Sequence, residues 1–410
     1  ALTISHCHQA QQALSHLRFN DSWKRTYVSC TSNGLRPTVD APSSTLLHHQ
    51  LQTDPSRTVY SDVLYHAWRC AAGRIRREWL TRDNLAREDA QLFSPEEFNA
   101  SYARTNTPVV LRGACKHWQA CAKWSDADTL SHLCGNHATF NAGGLHFTMR
   151  DYIQYARSVS ANVGADDQPL YLFDKNFTQS APKLASDYEV PQYFSDDLFA
   201  LLDGTQHRPD FRWLIVGPPR SGSSFHKDPN ATSAWNAVVS GAKKWILFPP
   251  QVTSPPGVTP SDDGCEVRTP LSLQEWFMNY YEQARAHPMV LEGICEAGDV
   301  LFVPRGWWHA AMNLDRNSRD GCEVELTVAI TQNFVSREAL PHVLHFLRTP
   351  RGATHAAHIS GVASHLRASL LSVFEEHLEQ NAPGALAHAR NVLRMNDTQR
   401  LQTTSIWKRL

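Results

Sequence analysis

The chain has 410 residues, with 39 Lys and Arg against 40 Asp and Glu and 42% hydrophobic residues. That length suits about two to three domains, and the apolar share supports a packed core, which sets aside a disordered or fibrous protein. The formal net charge of −1 hides an uneven distribution: residues 1–90 carry 11 basic and 8 acidic groups, residues 335–410 carry 9 and 5, and the stretch between sits near −8. Such a surface attracts a basic protein segment more readily than a nucleic acid, although an ordinary solvated acidic surface has the same charge.

No run of about 18 apolar residues and no charged-then-apolar leader is present, so neither a membrane span nor a signal peptide is expected, though residue 1 is Ala and a leader could have preceded it. Nine cysteines with irregular spacing and no CxxC argue against a disulfide framework or zinc ribbon and for a reducing intracellular setting.

Residues 1–90 read as short helices, "QQALSHLRF" and, after a Ser/Thr/Pro-rich stretch at 38–58, "YSDVLYHAWRCAAGRIRREWL". In the second, Leu64, Trp68, Ala71, Ile75 and Trp79 make one apolar face. Ser94, Pro95 and Glu97 mark a helix start. From Pro108 the texture changes to strand-like runs: "PVVLRG", "PLYLFD", "RWLIVGPP", "AWNAVVSG", "KKWILFPP", "DVLFVP", "WHAAMNL" and "LTVAITQNF". Short strands with Gly/Pro/Asp punctuation predict a sandwich or small barrel, and "VVSGAKKWILF" predicts a hairpin around Gly241. The helix "SLQEWFMNYYEQARA" interrupts the barrel, and helical character returns after Phe334. The division is therefore 1–90 helical, 91–334 β barrel and 335–410 helical.

"SSFHKDPNATSAWNAVVSGAKKW" holds the chemistry. Alternate side chains of an extended strand share a face, so His226 and Asp228 point the same way, and His309 at the start of a later strand offers a second nitrogen. Two His and one carboxylate bind Fe(II) on one side and leave three positions open. Lys243, one of only nine lysines, needs a negative partner if it faces the barrel interior. A dicarboxylate that chelates iron at one end and pairs with Lys243 at the other meets both needs, and 2-oxoglutarate is such a molecule. Lys244 should face the opposite way, into solvent. A zinc hydrolase on the same ligands lacks a dedicated general base and leaves Lys243 unexplained.

The segment from Phe98 to Phe334 resembles the JmjC domain, the cupin-type double-stranded β-helix (jelly roll) of Fe(II)- and 2-oxoglutarate-dependent dioxygenases. The resemblance is carried by "PLYLFD", "VPQYFSDDLF", "RWLIVGPPRSG", "HKDPNATSAWNAVVSGAKKWILFP", "DVLFVPRGWWHAAMNL" and "AITQNF". Within the family it is most similar to the lysyl hydroxylase and arginine demethylase type once described as a phosphatidylserine receptor. The resemblance implies a mainly β fold with helical flanks, Fe(II) on His226, Asp228 and His309, and O2 as oxidant. It implies 2-oxoglutarate on Lys243 with Tyr171, Ser223, Asn236 and Thr331, and Trp235 and Asn333 beside the substrate or in the pocket floor. Tyr171 and Trp235 could instead be plain barrel core, and Trp307 and Trp308 packing beside the last ligand.

Three departures stand out: Lys227 between the ligands, whose side chain should point away from the iron, and two that bear on substrate choice, the "GGLHFTMRDY" stretch and an insertion at 315–326 beside the pocket mouth. "DSWKRTYVSC" resembles the segment after an F-box in F-box/JmjC proteins, which implies a ubiquitin-ligase partner if an F-box precedes residue 1. The expected function is hydroxylation of a basic protein side chain, with histone lysine or arginine demethylation as the alternative and a silent adaptor as the rival. A nuclear location is expected, and the C-terminal helices should form a dimer interface or cap the barrel.

Overall fold

The computed structural model describes residues 70, 73–161, 166, 168–261, 266–315, 326–348 and 359–407, all within one unit, Leu64–Leu410. The helix expected at "QQALSHLRF", the part of "YSDVLYHAWRCAAGRIRREWL" before Cys70, the F-box-like flank and most of the 315–326 insertion lie outside the described residues; of the expected helix, residues 73–76 are not helical and Arg77–Leu80 forms a short 3-10 turn.

Helix α1 (Pro95–Phe98) begins as its sequence demands: the Ser94 hydroxyl accepts from the Glu97 N–H at 3.2 Å while the Glu97 carboxylate accepts from the Ser94 N–H at 2.8 Å. Helices α2 (Gln119–Lys123), α3 (Ala127–Cys134), α4 (Met149–Ala161) and α5 (Phe177–Ser180) follow, then α6 (Leu273–Arg285), α7 (Leu340–Arg348), α8 (Leu370–Asn381) and α9 (Pro383–Trp407). The strands in chain order are β1 (Ala86–Asp89), β2 (Val109–Arg112), β3 (Thr139–Ala142), β4 (Leu145–Thr148), β5 (Leu172–Asp174), β6 (Arg212–Gly217), β7 (Gly222–His226), β8 (Ser233–Ser240), β9 (Ala242–Phe248), β10 (Thr259–Pro260), β11 (Val267–Arg268), β12 (Leu291–Glu296), β13 (Val300–Val303), β14 (Trp308–Asn313) and β15 (Thr327–Phe334).

They form a nine-stranded sheet, β1-β2-β13-β8-β15-β6-β5-β3-β4, a four-stranded sheet, β12-β9-β14-β7, and a small β10-β11 ribbon. Between β6 and β9, and again from β12 to β15, successive strands alternate between the two main sheets, which is the winding of a jelly roll. The hairpin expected at Gly241 is therefore wrong. β8 lies in the large sheet and β9 in the small one, so Gly241 turns a corner between sheets. Its φ is +74°, and a Cβ there would lie 2.8 Å from the Thr327 Cα, so only glycine fits.

Period-2 alternation sorts the side chains. Ala234 and Val238 of β8 meet Trp245 and Leu247 of β9, Leu301 and Val303 of β13 and Ala311 of β14 between the sheets. The opposite face of β8, with Trp235, Ala237 and Val239, packs outward under α1–α4. Outside the small sheet, Ile246 and Phe248 meet Leu273, Trp276, Phe277, Tyr281 and Ala284, the apolar stripe of α6. The C-terminal helices close a further cluster, in which Leu340, Val343, Leu344, Phe374 and Leu386 pack on Leu198, Phe199 and Leu202.

Lys244 corrects the sequence reading. It faces away from Lys243, as alternation requires, yet it is fully buried. Its ammonium lies 2.7 Å from the Glu292 carboxylate on β12 and donates to the Arg82 carbonyl at 2.8 Å, and Tyr281 of α6 donates to Glu292 at 2.8 Å. This ion pair ties the 73–89 segment and α6 to the small sheet. Removing one partner of a buried pair strands the other charge. Glu292→Gln should therefore cost about 3 kcal/mol of stability in urea unfolding, whereas a change within about 0.5 kcal/mol, the size of an ordinary surface effect, would contradict the role assigned to the pair.

Candidate metal and 2-oxoglutarate centre

β7 ends at His226, and β14 brings His309 directly opposite it. The two imidazole centroids are 4.2 Å apart. Asp228 lies just past the strand, its backbone still extended at φ −59°, ψ 142°. One ligand atom from each of the three residues falls within 4.8 Å of the others, and His309 Nε2 is 4.0 Å from Asp228 Oδ2. Among the described residues this is the one group of three or more His, Cys, Asp or Glu with such spacing.

Both histidines are held alike. His226 Nδ1 lies 2.8 Å from the Ser224 carbonyl oxygen and His309 Nδ1 lies 3.1 Å from that of Trp307. A carbonyl can only accept, so each Nδ1 carries the proton and each Nε2 presents a lone pair. Burial, together with neighbouring His226, pushes the pKa of His309 well down, which keeps the ring neutral and ready to ligate. Burial pushes the Asp228 carboxyl up to about 6, against the pull of His226 and the Asn333 amide. Asp228 Oδ2 is a buried oxygen with no hydrogen-bond partner among the described residues. Two imidazole nitrogens and an unmatched carboxylate oxygen converging on one point fit a divalent cation.

Lys243 is fully buried on the inner face of β9, opposite Cys295 on one side and Asn313 on the other. Its ammonium donates to the Tyr171 hydroxyl at 2.7 Å. None of the ion pairs among the described residues includes it, and burial brings its pKa down to about 7, opposed by the Cys295 thiol. Asn313 lies four residues along β14 from His309. Its Oδ1 and that of Asn236 are also buried and unmatched. A cation at one end and unmatched polar atoms along the wall fit the carboxylate-bearing co-substrate expected here.

Ser223 reaches the same wall through a β-bulge. It pairs with Ala311 while His226 pairs with His309, so two positions three apart on β7 meet two positions two apart on β14 and share a face. Thr331 stands opposite Asn236 and donates to the Trp235 carbonyl at 2.9 Å, leaving its hydroxyl oxygen to accept.

Two expected substrate contacts change role. Trp235 is fully buried on the outer face of β8, stacked on Phe194 at 6.1 Å, because it alternates with Asn236; it is core and not pocket floor. Asn333 donates to Thr232 Oγ1 at 3.0 Å and reaches Asp228 Oδ1 at 3.4 Å, so it orients a member of the candidate triad. Lys227 points away from the ligands, as expected, its ammonium 4.7 Å from the Trp308 ring. The Trp307 and Trp308 indoles donate to the Asn106 and Val252 carbonyls, which makes them packing residues.

The sequence reading missed Asn313, although the period of two from His309 marks its face, and an aromatic row. Tyr171 stacks on Phe173 at 6.4 Å, and Phe173 on Trp213 at 5.3 Å. Phe173, 41% exposed, carries the row to the surface. Gly217 lies beneath it, where a Cβ would come within 2.2 Å of Ser221 Oγ and 2.5 Å of Asn313 Nδ2. Two surface cavities of about 280 and 570 Å³ are lined by none of these groups.

A jelly roll with two histidines and an aspartate on one edge and a buried lysine deeper in the barrel defines a cupin-type metal protein. The chain belongs to the cupin-like domain family, whose model matches residues 95–338. It is 39% identical over 390 residues to "Arginine-specific demethylase JMJ22" of Arabidopsis thaliana, covering 95% of this chain and 70% of that protein. It is 33% identical to "Bifunctional arginine demethylase and lysyl-hydroxylase psr-1" of Caenorhabditis elegans, with 63% of each chain covered. It is 29% identical to "2-oxoglutarate and iron-dependent oxygenase JMJD4" of Homo sapiens, with 62% of each covered. The chain thus spans less than two thirds of the latter two relatives.

Asn333→Ala should weaken Mn(II) binding about tenfold by freeing Asp228 to rotate, while Trp235→Phe should leave metal affinity unchanged. Calorimetric titration of both variants checks the pair, and the reverse ranking would overturn these assignments.

Proposed function

We propose that the chain is an Fe(II)- and 2-oxoglutarate-dependent oxygenase that hydroxylates a basic side chain of a protein substrate. The observation that carries this reading is Lys243, a buried ammonium with a hydroxyl partner but no carboxylate in salt-bridge range among the described residues, inside a barrel whose edge holds the triad. When bound, iron and 2-oxoglutarate supply O2-driven oxidation of a substrate C–H bond, coupled to decarboxylation of 2-oxoglutarate to succinate.

The protein binds and orients. His226, Asp228 and His309 would hold the metal on one side and leave the other open. Lys243, steadied by Tyr171, would take the distal carboxylate, with Ser223, Asn236, Thr331 and Asn313 along its length. The close-packed apolar wall of Val238, Trp245, Leu247 and Leu301 excludes water, which strengthens every charge interaction inside. No side chain need act as nucleophile.

The second reading is arginine N-demethylation, which starts with the same C–H oxidation at a methyl group. The relative covering 95% of this chain, named an arginine-specific demethylase, favours it. In either reading the substrate is a basic segment, drawn to the excess of acid between residues 91 and 334. A nuclear setting, a ubiquitin-ligase partner and a homodimer through α7–α9 belong to the same proposal on resemblance. No helix among the described residues is long and apolar enough to cross a membrane.

Incubating the protein with Fe(II), 2-oxoglutarate, O2 and lysine- and methylarginine-containing peptides separates the readings by mass. Hydroxylation adds one oxygen, demethylation removes a methylene equivalent, and no succinate with any peptide would contradict both. A further consequence concerns protons. The depressed pKa of Lys243 makes the ligand-free lysine mostly neutral at about pH 8, whereas pairing with a carboxylate favours its charged form. Binding of 2-oxoglutarate at that pH should take up about one proton, and below about pH 6 almost none. Calorimetry in buffers of different ionisation enthalpy reads this directly; proton release would contradict it.

A further inference from the structure

The turn that follows Asp228 is held from outside the barrel. Between β7 and β8 the chain passes through Pro229–Ala231, where Asn230 and Ala231 have φ of +57° and +55°. Left-handed backbone is tolerable for asparagine and costly for alanine, so the surroundings must impose it. On the inner side, Asn333 donates to Thr232 Oγ1, which in turn donates to the Pro229 carbonyl at 2.8 Å.

On the outer side, Asn230 is 3% exposed and forms a reciprocal pair with Ser360: its Nδ2 donates to the Ser360 carbonyl at 2.9 Å and its Oδ1 accepts from the Ser360 N–H at 3.0 Å. Ala231 packs against the C-terminal cluster that includes Leu340, Val343 and Ile359. The next residue, Gly361, accepts from the Asp210 N–H at 2.9 Å, beside the start of β6. The segment Ile359–Gly361 thus bridges the barrel and the metal-ligand turn across 130 residues of sequence.

We propose that Asn230 is a positioning residue through which the C-terminal helical region fixes the Asp228 turn, so that metal binding and docking of Ile359–Gly361 are thermodynamically linked. The inference rests on the triad as the metal site. Its physical basis is that neither end of the amide pair can be satisfied alone. If Ser360 leaves, a buried donor and acceptor on Asn230 are stranded beside a strained turn. If the turn relaxes, Asp228 leaves the position where its oxygen faces His226 and His309. Linkage makes the effect reciprocal: whatever the docked segment adds to metal affinity, bound metal must add to docking.

The test uses the full 410-residue chain and Mn(II), which does not undergo the oxidation that complicates Fe(II). Asn230→Gly keeps the left-handed turn accessible and deletes both side-chain bonds. Its Mn(II) affinity should fall about tenfold. In the wild type Mn(II) should slow hydrogen exchange at the Ser360 amide, and in Asn230→Gly it should not, a response that a merely structural clamp would not produce. Ser360→Pro removes the amide donor while leaving the turn's sequence intact, and its Mn(II) affinity should fall likewise, which keeps the test should Asn230→Gly fail to fold. Unchanged Mn(II) affinity in both variants, or Ser360 exchange indifferent to Mn(II) in the wild type, overturns the linkage alone. A wild-type chain that binds no Mn(II) overturns the metal site and the linkage with it.

Discussion

An ammonium buried in a protein must find a counter-charge or give up its proton, and the two adjacent lysines of β9 meet that demand in opposite ways. Lys244 has its carboxylate built in, from Glu292 on the neighbouring strand. Lys243, one residue earlier and on the opposite face, has a phenol and, among the described residues, no carboxylate. Strand alternation alone separates them, so the same pair of residues anchors the outer packing of the small sheet and furnishes the interior with an amine that has no carboxylate partner among the described residues. The site depends on that asymmetry.

The jelly-roll winding makes the arrangement possible. Because strands from β6 to β9 cross between sheets, β7 and β9 are not neighbours, and β14 lies between them. His309 therefore arrives beside His226 from a strand 83 residues away, and the same β14 carries Asn313 to the position opposite Lys243. One strand spans the distance from the triad to the lysine, the span that the proposed co-substrate would bridge. The bulge in β7 and the left-handed turn at Asn230 are local irregularities at the metal end, where regular pairing could not aim Ser223, His226 and Asp228 together.

Much of this was legible in the sequence because the relevant signals are local. The strand runs from "PVVLRG" to "LTVAITQNF" all became strands, the Ser94 cap formed, and His226, Asp228 and His309 converged. What escaped detection depends on partners distant in sequence. β12 was missed because Glu292 reads as an exposed residue until its pairing with Lys244 is known. The Gly241 corner looked like a hairpin because a glycine between two apolar runs fits either, and only sheet assignment decides. Trp235 stayed open between pocket and barrel core because alternation fixes which residues share a face but not which face looks inward; its packing on Phe194 in the outer cluster decides for core.

The central claim is that the triad and Lys243 form one binding site with two ends. Titration of 2-oxoglutarate into the chain with and without Mn(II), for the wild type and for Lys243→Met, tests it most directly. The account predicts strong binding only to the Mn(II)-loaded wild type, with Lys243→Met losing about a hundredfold in 2-oxoglutarate affinity, the scale of a lost buried charge pair, while its Mn(II) affinity stays intact. Equal 2-oxoglutarate affinity in the wild type and Lys243→Met would contradict it.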